Sequence, residues 1–85
     1  MPTVFRVRGI RFSFFSDEGD PREPVHIHAF GHGGQAKLSL FPSVHIAYSA
    51  GFTAREQSQL VRAVEARREM IVRSWNEYFG QSSEI

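Results

Sequence analysis

Three of the chain's four histidines, its one lysine and three of its seven glycines crowd into PVHIHAFGHGGQAKLSL, residues 24–40. Imidazole carries protons near neutral pH, and an ammonium beside it stabilises developing negative charge. In a strand, alternation puts His26 and His28 on one face with Cα atoms about 6.5–7 Å apart. Three uses of such a pair are open. With Lys37 it is a minimal kit for cleaving an RNA phosphodiester without metal: one imidazole takes the 2′-hydroxyl proton, the other protonates the leaving oxygen, and Lys37 stabilises the charged intermediate. As a metal site it needs further ligands, and only His32, His45 or remote acidic residues could complete it. As structure, it is two rings packed on a sheet face.

Two known histidine patterns do not fit. The histidine-triad hydrolases need a third alternating His, which would fall at Phe30. Cupins carry an HxH strand but need a longer chain and a downstream Glu ligand. The absence of Cys excludes disulfides and thiolate metal sites. No cofactor and no tightly held metal are therefore expected.

The elements that must position these residues follow from apolar alternation. VFRVRGIRFSFF, residues 4–15, reads as a hairpin turning at Arg8-Gly9, with Val7 opposite Ile10 and Phe5 opposite Phe12. Residues 5, 7, 10, 12 and 14 then form one apolar face, and a slip of one residue destroys it. The same register sets Arg6 against Arg11. Like charges there repel, unless the pair serves as a fork for a phosphate or carboxylate. SDEGDPREP, residues 16–24, is acidic turn chemistry. Residues 25–30 and 35–41 read as a second hairpin around GHGG: Ile27 faces Leu38 and Ala29 faces Ala36, while His28 faces Lys37 and His26 faces Ser39. Pro42 closes this strand, and VHIAY, residues 44–48, is a fifth.

Residues 53–79 are helical. Thr53-Ala54-Arg55-Glu56 is a capping box, and Gly80 sits where a left-handed C-terminal residue belongs. Apolar residues 60, 61, 64, 71, 72, 75, 78 and 79 make a core-facing stripe that Arg67 and Arg68 interrupt. One straight helix would be about 39 Å long, against a diameter near 30 Å for a compact chain of this size, roughly. Either the helix breaks near residues 65–68, which is the favoured solution, or one end overhangs to meet a partner. Trp75 and Tyr78, which continue the stripe, are expected in the core. The fold class is α+β: an antiparallel sheet of about five strands, two hairpins plus one, followed by a C-terminal helix, in one piece or broken into two, packed on one sheet face.

At 85 residues the chain makes a single domain, with sheet over 1–49, helix over 53–79 and a flexible tail over 81–85. So small a core is marginal, which makes a homodimer an expectation. Hydrophobic content of 41% with 22% charged residues reads as globular. No apolar run suits a signal peptide or a membrane span, so a cytoplasmic location is expected. The net charge of +1 gives no argument for nucleic acid by itself; a basic surface has to come from local arrangement.

The pieces MPTVFRV with Gly9, RFSFFSDEG, PVHIHAFG, AKLSLFP, AYSAGF and WNEYFG resemble, in order and nearly end to end, a family of short prokaryotic proteins catalogued as a domain of unknown function. The family's hairpin reads like PHIHV, from which this chain departs at Val25. His26, His28 and Lys37 match the pattern, whereas His32 and His45 are individual to this chain. Members stand beside another small domain in toxin–antitoxin-like gene pairs, so the resemblance implies a second small protein as partner. The combined expectation is one half of such a module, acting on RNA through His26, His28 and Lys37, with Arg6 and Arg11 as anion contacts. The rival expectation is an interaction module without catalysis, docking by the HxH face or by the Trp75-Tyr78-Phe79 end of the helix.

Overall fold

A computed structural model of the chain describes residues 3–15 and 24–79. The acidic residues 16–23, Gly80 and the 81–85 tail, for which a loop, a helix cap and flexibility are expected, lie outside the described residues.

The first hairpin joins β1 (Thr3–Val7) to β2 (Ile10–Ser13). Its register is the expected one: Val7 opposite Ile10, Arg6 opposite Arg11, Phe5 opposite Phe12. Arg8 and Gly9 turn the chain with φ of 51° and 80°. Two left-handed residues in a row match the twist of the flanking strands, and glycine adopts that region without a Cβ clash. The second hairpin joins β3 (His26–Gly31) to β4 (Gly34–Ser39) through His32 and Gly33, at φ of 53° and 78°. The turn is two residues long, so both strands run one residue further toward it than the alternation suggested. β5 (His45–Ala50) starts one residue later and ends two residues beyond the expected span.

All five strands are antiparallel neighbours in chain order, β1-β2-β3-β4-β5. The two edge strands each carry one extra residue. Val4 lies between the paired Thr3 and Phe5, and Ala47 between the paired Ile46 and Tyr48. Bulges there twist the edges away from regular pairing with another chain.

The helical segment breaks where the length argument put it. α1 (Ala54–Ala66) and α2 (Arg68–Phe79) meet at Arg67, whose φ of −120° and ψ of 19° leave the helical region. Thr53 and Glu56 form the reciprocal capping box, at 3.1 Å and 2.8 Å. The two arginines that interrupt the apolar stripe each cover a ring. The Arg67 guanidinium lies 4.8 Å from the centre of Phe5, and that of Arg68 lies 4.6 Å from the centre of Phe41. Arg67 Nη1 also donates to the Ala63 carbonyl at 3.2 Å.

The core lies between the helices and one sheet face. Phe12, Ile27, Ala29, Ala36 and Leu38 meet Leu60, Val64, Ile71 and Trp75 there, all buried. Trp75 is core as expected. Tyr78 is not: in the last turn of α2 it is 42% exposed, although its ring still touches Phe14 and Phe79. Among the described residues no helix is long and apolar enough to cross a membrane.

Candidate functional site: the polar face of the sheet

Directly opposed residues of antiparallel strands share a face, so the registers assemble the second sheet face row by row. One row runs Arg6, Arg11, Phe30, Gln35, Ala50. The next runs Thr3, Ser13, His28, Lys37, Tyr48. The third is His26, Ser39, His45. Because β2 pairs with β3, the two hairpins are adjacent, and Arg6, Arg11, His26, His28 and Lys37 all stand on one face. His32 is apart, at the hairpin turn, where its Nε2–H donates to the Arg8 carbonyl at 2.9 Å.

Exposure divides these residues in a way that alternation did not indicate. His26 is 2% exposed and His28 8%, so the HxH pair lies beneath the surface of the polar face. Aromatic rings bury them. Phe15 stacks on His28 with centroids 3.8 Å apart and planes 8° from parallel. Phe30 stacks on Phe15 at 5.8 Å and lies 6.3 Å from His28. His26 meets His28 edge-on at 5.3 Å, and Trp75 packs 5.1 Å from His26. At the other end Arg11 sets its guanidinium 5.3 Å from the centre of Phe30. A ladder of planar groups therefore crosses the face, from Arg11 through Phe30, Phe15, His28 and His26 to Trp75. The His26 Nδ1 lies 2.9 Å from the Pro24 carbonyl; a carbonyl only accepts, so this nitrogen carries a proton. Ser13, opposite His28, is buried, and its hydroxyl has no hydrogen-bond partner among the described residues.

The open part of the face is cationic and aromatic. Arg6 and His45 are exposed, Arg11 and Lys37 half-buried, and Tyr48 is 49% exposed with its hydroxyl accepting from Gln35 Nε2 at 2.8 Å. No Asp or Glu occurs in residues 3–15 or 24–52. The acidic residues of the described chain, Glu56, Glu65, Glu69 and Glu77, all belong to the helices. The sequence reading missed this segregation because it weighed net charge. The position of each acidic residue along the chain was the signal. Among the described residues no three His, Asp or Glu side chains come together as a metal site.

The model of a family described as a domain of unknown function (DUF4160) matches residues 9–76. The chain belongs to that family. The DUF4160 match takes in Arg11, His26, His28, Lys37 and Trp75, and leaves Arg6 outside. No curated protein and no solved structure matches the chain.

Proposed function

We propose that this DUF4160 protein is a binding component of a two-protein, toxin–antitoxin-like module, and that it holds single-stranded RNA on its polar sheet face without cleaving it. The observation that carries the RNA part is a sheet face on which no described residue is acidic, offering Arg6, Arg11, Lys37 and His45 beside the exposed ring of Tyr48. Cations that follow a phosphate backbone, with rings on which bases stack, are the general means of holding single strands. The second small protein enters through the family resemblance.

Burial of the histidines supports binding over catalysis. An acid–base pair must approach the 2′-oxygen and the leaving oxygen to within hydrogen-bond distance. Rings wedged between Phe15, Trp75 and each other are poorly set for that, and well set to stiffen the sheet. The exposure of Tyr78 favours the second reading, a protein docking site at the end of α2.

Fluorescence anisotropy of a labelled single-stranded RNA, titrated with protein from 50 to 200 mM salt, tests the proposal. Three phosphate contacts give a slope of log K against log salt of about −2, on the order of −0.7 per contact. Lys37→Ala should weaken binding and flatten the slope. Absence of binding at low salt sinks the RNA reading. RNA cut by the natural chain but left whole by His28→Gln would make it an enzyme.

A further inference from the structure

Among the described residues, both non-glycine residues that adopt a left-handed backbone, Arg8 and His32, border one cleft at the hairpin-turn end of the molecule. We propose that this cleft receives one aromatic side chain of an acidic partner segment, with the ring inside and a carboxylate at Arg8. The site is separate from the polar sheet face and does not depend on the RNA reading.

The cleft has a cause in the sequence. The stripe of α1 that turns toward the first hairpin runs Glu56, Gln59, Leu60, Ala63, at the three- and four-residue spacing of one helix face. Ala63 stands where a larger apolar side chain would complete the packing against Val7, Ile10 and Phe12. The space left is about 180 Å³. A cavity of about 150 Å³ with aliphatic and aromatic walls accommodates a benzene ring. Whole small-molecule sites run from about 300 Å³ upward, so a single side chain is the better fit.

The rim supplies the charge preference. Glu56 is committed to the cap, its Oε1 accepting from the Thr53 backbone at 2.8 Å. His32 is committed to the Arg8 carbonyl, which ties the two turns together. Arg8, an exposed residue of the lining, carries the rim charge that these contacts do not use. Its backbone is also in a region where Asn, Asp or Gly is at ease and Arg is not.

The test is a titration of the full chain, followed by amide NMR shifts of Val7, Arg8, Ile10, Gln59 and Ala63. The probes are N-acetylphenylalanine, its uncharged amide and N-acetylalanine. Expected are saturable shifts with the first, about fivefold tighter than with the amide, the upper range for an exposed ion pair, and none with N-acetylalanine. Ala63→Leu should fill the cleft and abolish the shifts. Arg8→Asn should raise the melting temperature and erase the difference between acid and amide. Equal affinity for acid and amide in the natural chain, no saturation, or an acid preference that survives Arg8→Asn would each overturn the proposal. Dispersed amide spectra of both variants show that a lost response is not a lost fold.

Discussion

β3 and β4 belong to one hairpin, pair residue for residue and alternate polar with apolar, yet they are buried differently. β4 behaves as a strand with one covered face: Ala36 and Leu38 are buried, Gln35 is exposed, and Lys37 and Ser39 lie between. β3 is buried on both faces from His26 to Ala29. The helices cover Ile27 and Ala29 on one side, Phe15 stacks on His28 on the other, and Trp75 of α2 reaches His26 at the start of the strand. Periodicity reports which residues share a face. It does not report whether rings from outside the hairpin will cover that face. On this face Lys37 and Arg6 meet solvent, and the imidazoles are buried.

The sharpest way to break the contrast is Trp75→Ala. Trp75 touches Phe14, His26 and Phe79, so its loss opens a cavity in the core and uncovers His26 in one step. The cost should be about 3–5 kcal/mol, from denaturant unfolding. A cost below about 1 kcal/mol, the ordinary level for a point mutant, would mean that α2 does not clamp the end of β3.

The same contrast can be measured across one rung. His28→Ala removes a ring stacked at 3.8 Å and should cost roughly 2 kcal/mol, in the range of buried truncations. Lys37→Ala, directly opposite, should change stability by no more than about 0.5 kcal/mol. RNA binding should follow the reverse order once both variants are compared folded. Equal stability losses would show that β3 and β4 are covered alike.

Both hairpin registers were legible because shifting either by one residue mixes apolar with polar on each face. The capping box at Thr53 and the break beside Arg67 were legible too, one from local hydrogen-bonding chemistry and the other from the length a small globule can hold. The candidate residues of the polar face were legible as a set: His28 opposite Lys37 and Arg6 opposite Arg11 are as expected. Their exposure was not. Phe15 is the residue after the apolar hairpin face ends, and nothing in its neighbours says that it folds back onto His28. Tyr78 was misjudged for the opposite reason. It keeps the stripe's spacing, but it stands in the last helical turn, past the point where the sheet offers a surface to bury it.

Ser13 gives a smaller test of the same face. Its buried hydroxyl bonds to none of the described residues, and an unsatisfied hydroxyl costs about 1–3 kcal/mol relative to a satisfied one. Ser13→Ala should therefore leave stability unchanged or raise the midpoint of thermal unfolding. A clear loss of stability would show that the hydroxyl is hydrogen-bonded in solution, with His28 across the rung as the nearest candidate.

The smallest expected net effect is at Arg11, where two terms oppose each other. Arg11 stands opposite Arg6, and a like-charge pair across strands costs up to about 1 kcal/mol. It also lies over Phe30, a cation–ring contact worth roughly 0.5–1 kcal/mol at a partly exposed site. Arg11→Gln loses both, so stability should move by less than about 0.5 kcal/mol, whereas Arg11→Gln combined with Phe30→Leu should reveal a coupling of about 0.5–1 kcal/mol. The single variant should nonetheless lower the salt slope of RNA binding by about 0.7, one phosphate contact. If stability falls by more than 1 kcal/mol, about the largest share the cation–ring contact can hold, Arg11 belongs to the buried ladder with the histidines. If the salt slope also stays unchanged, Arg11 is no part of the open cationic surface, and the line between packing and binding on this face has to be redrawn on the solvent side of β2.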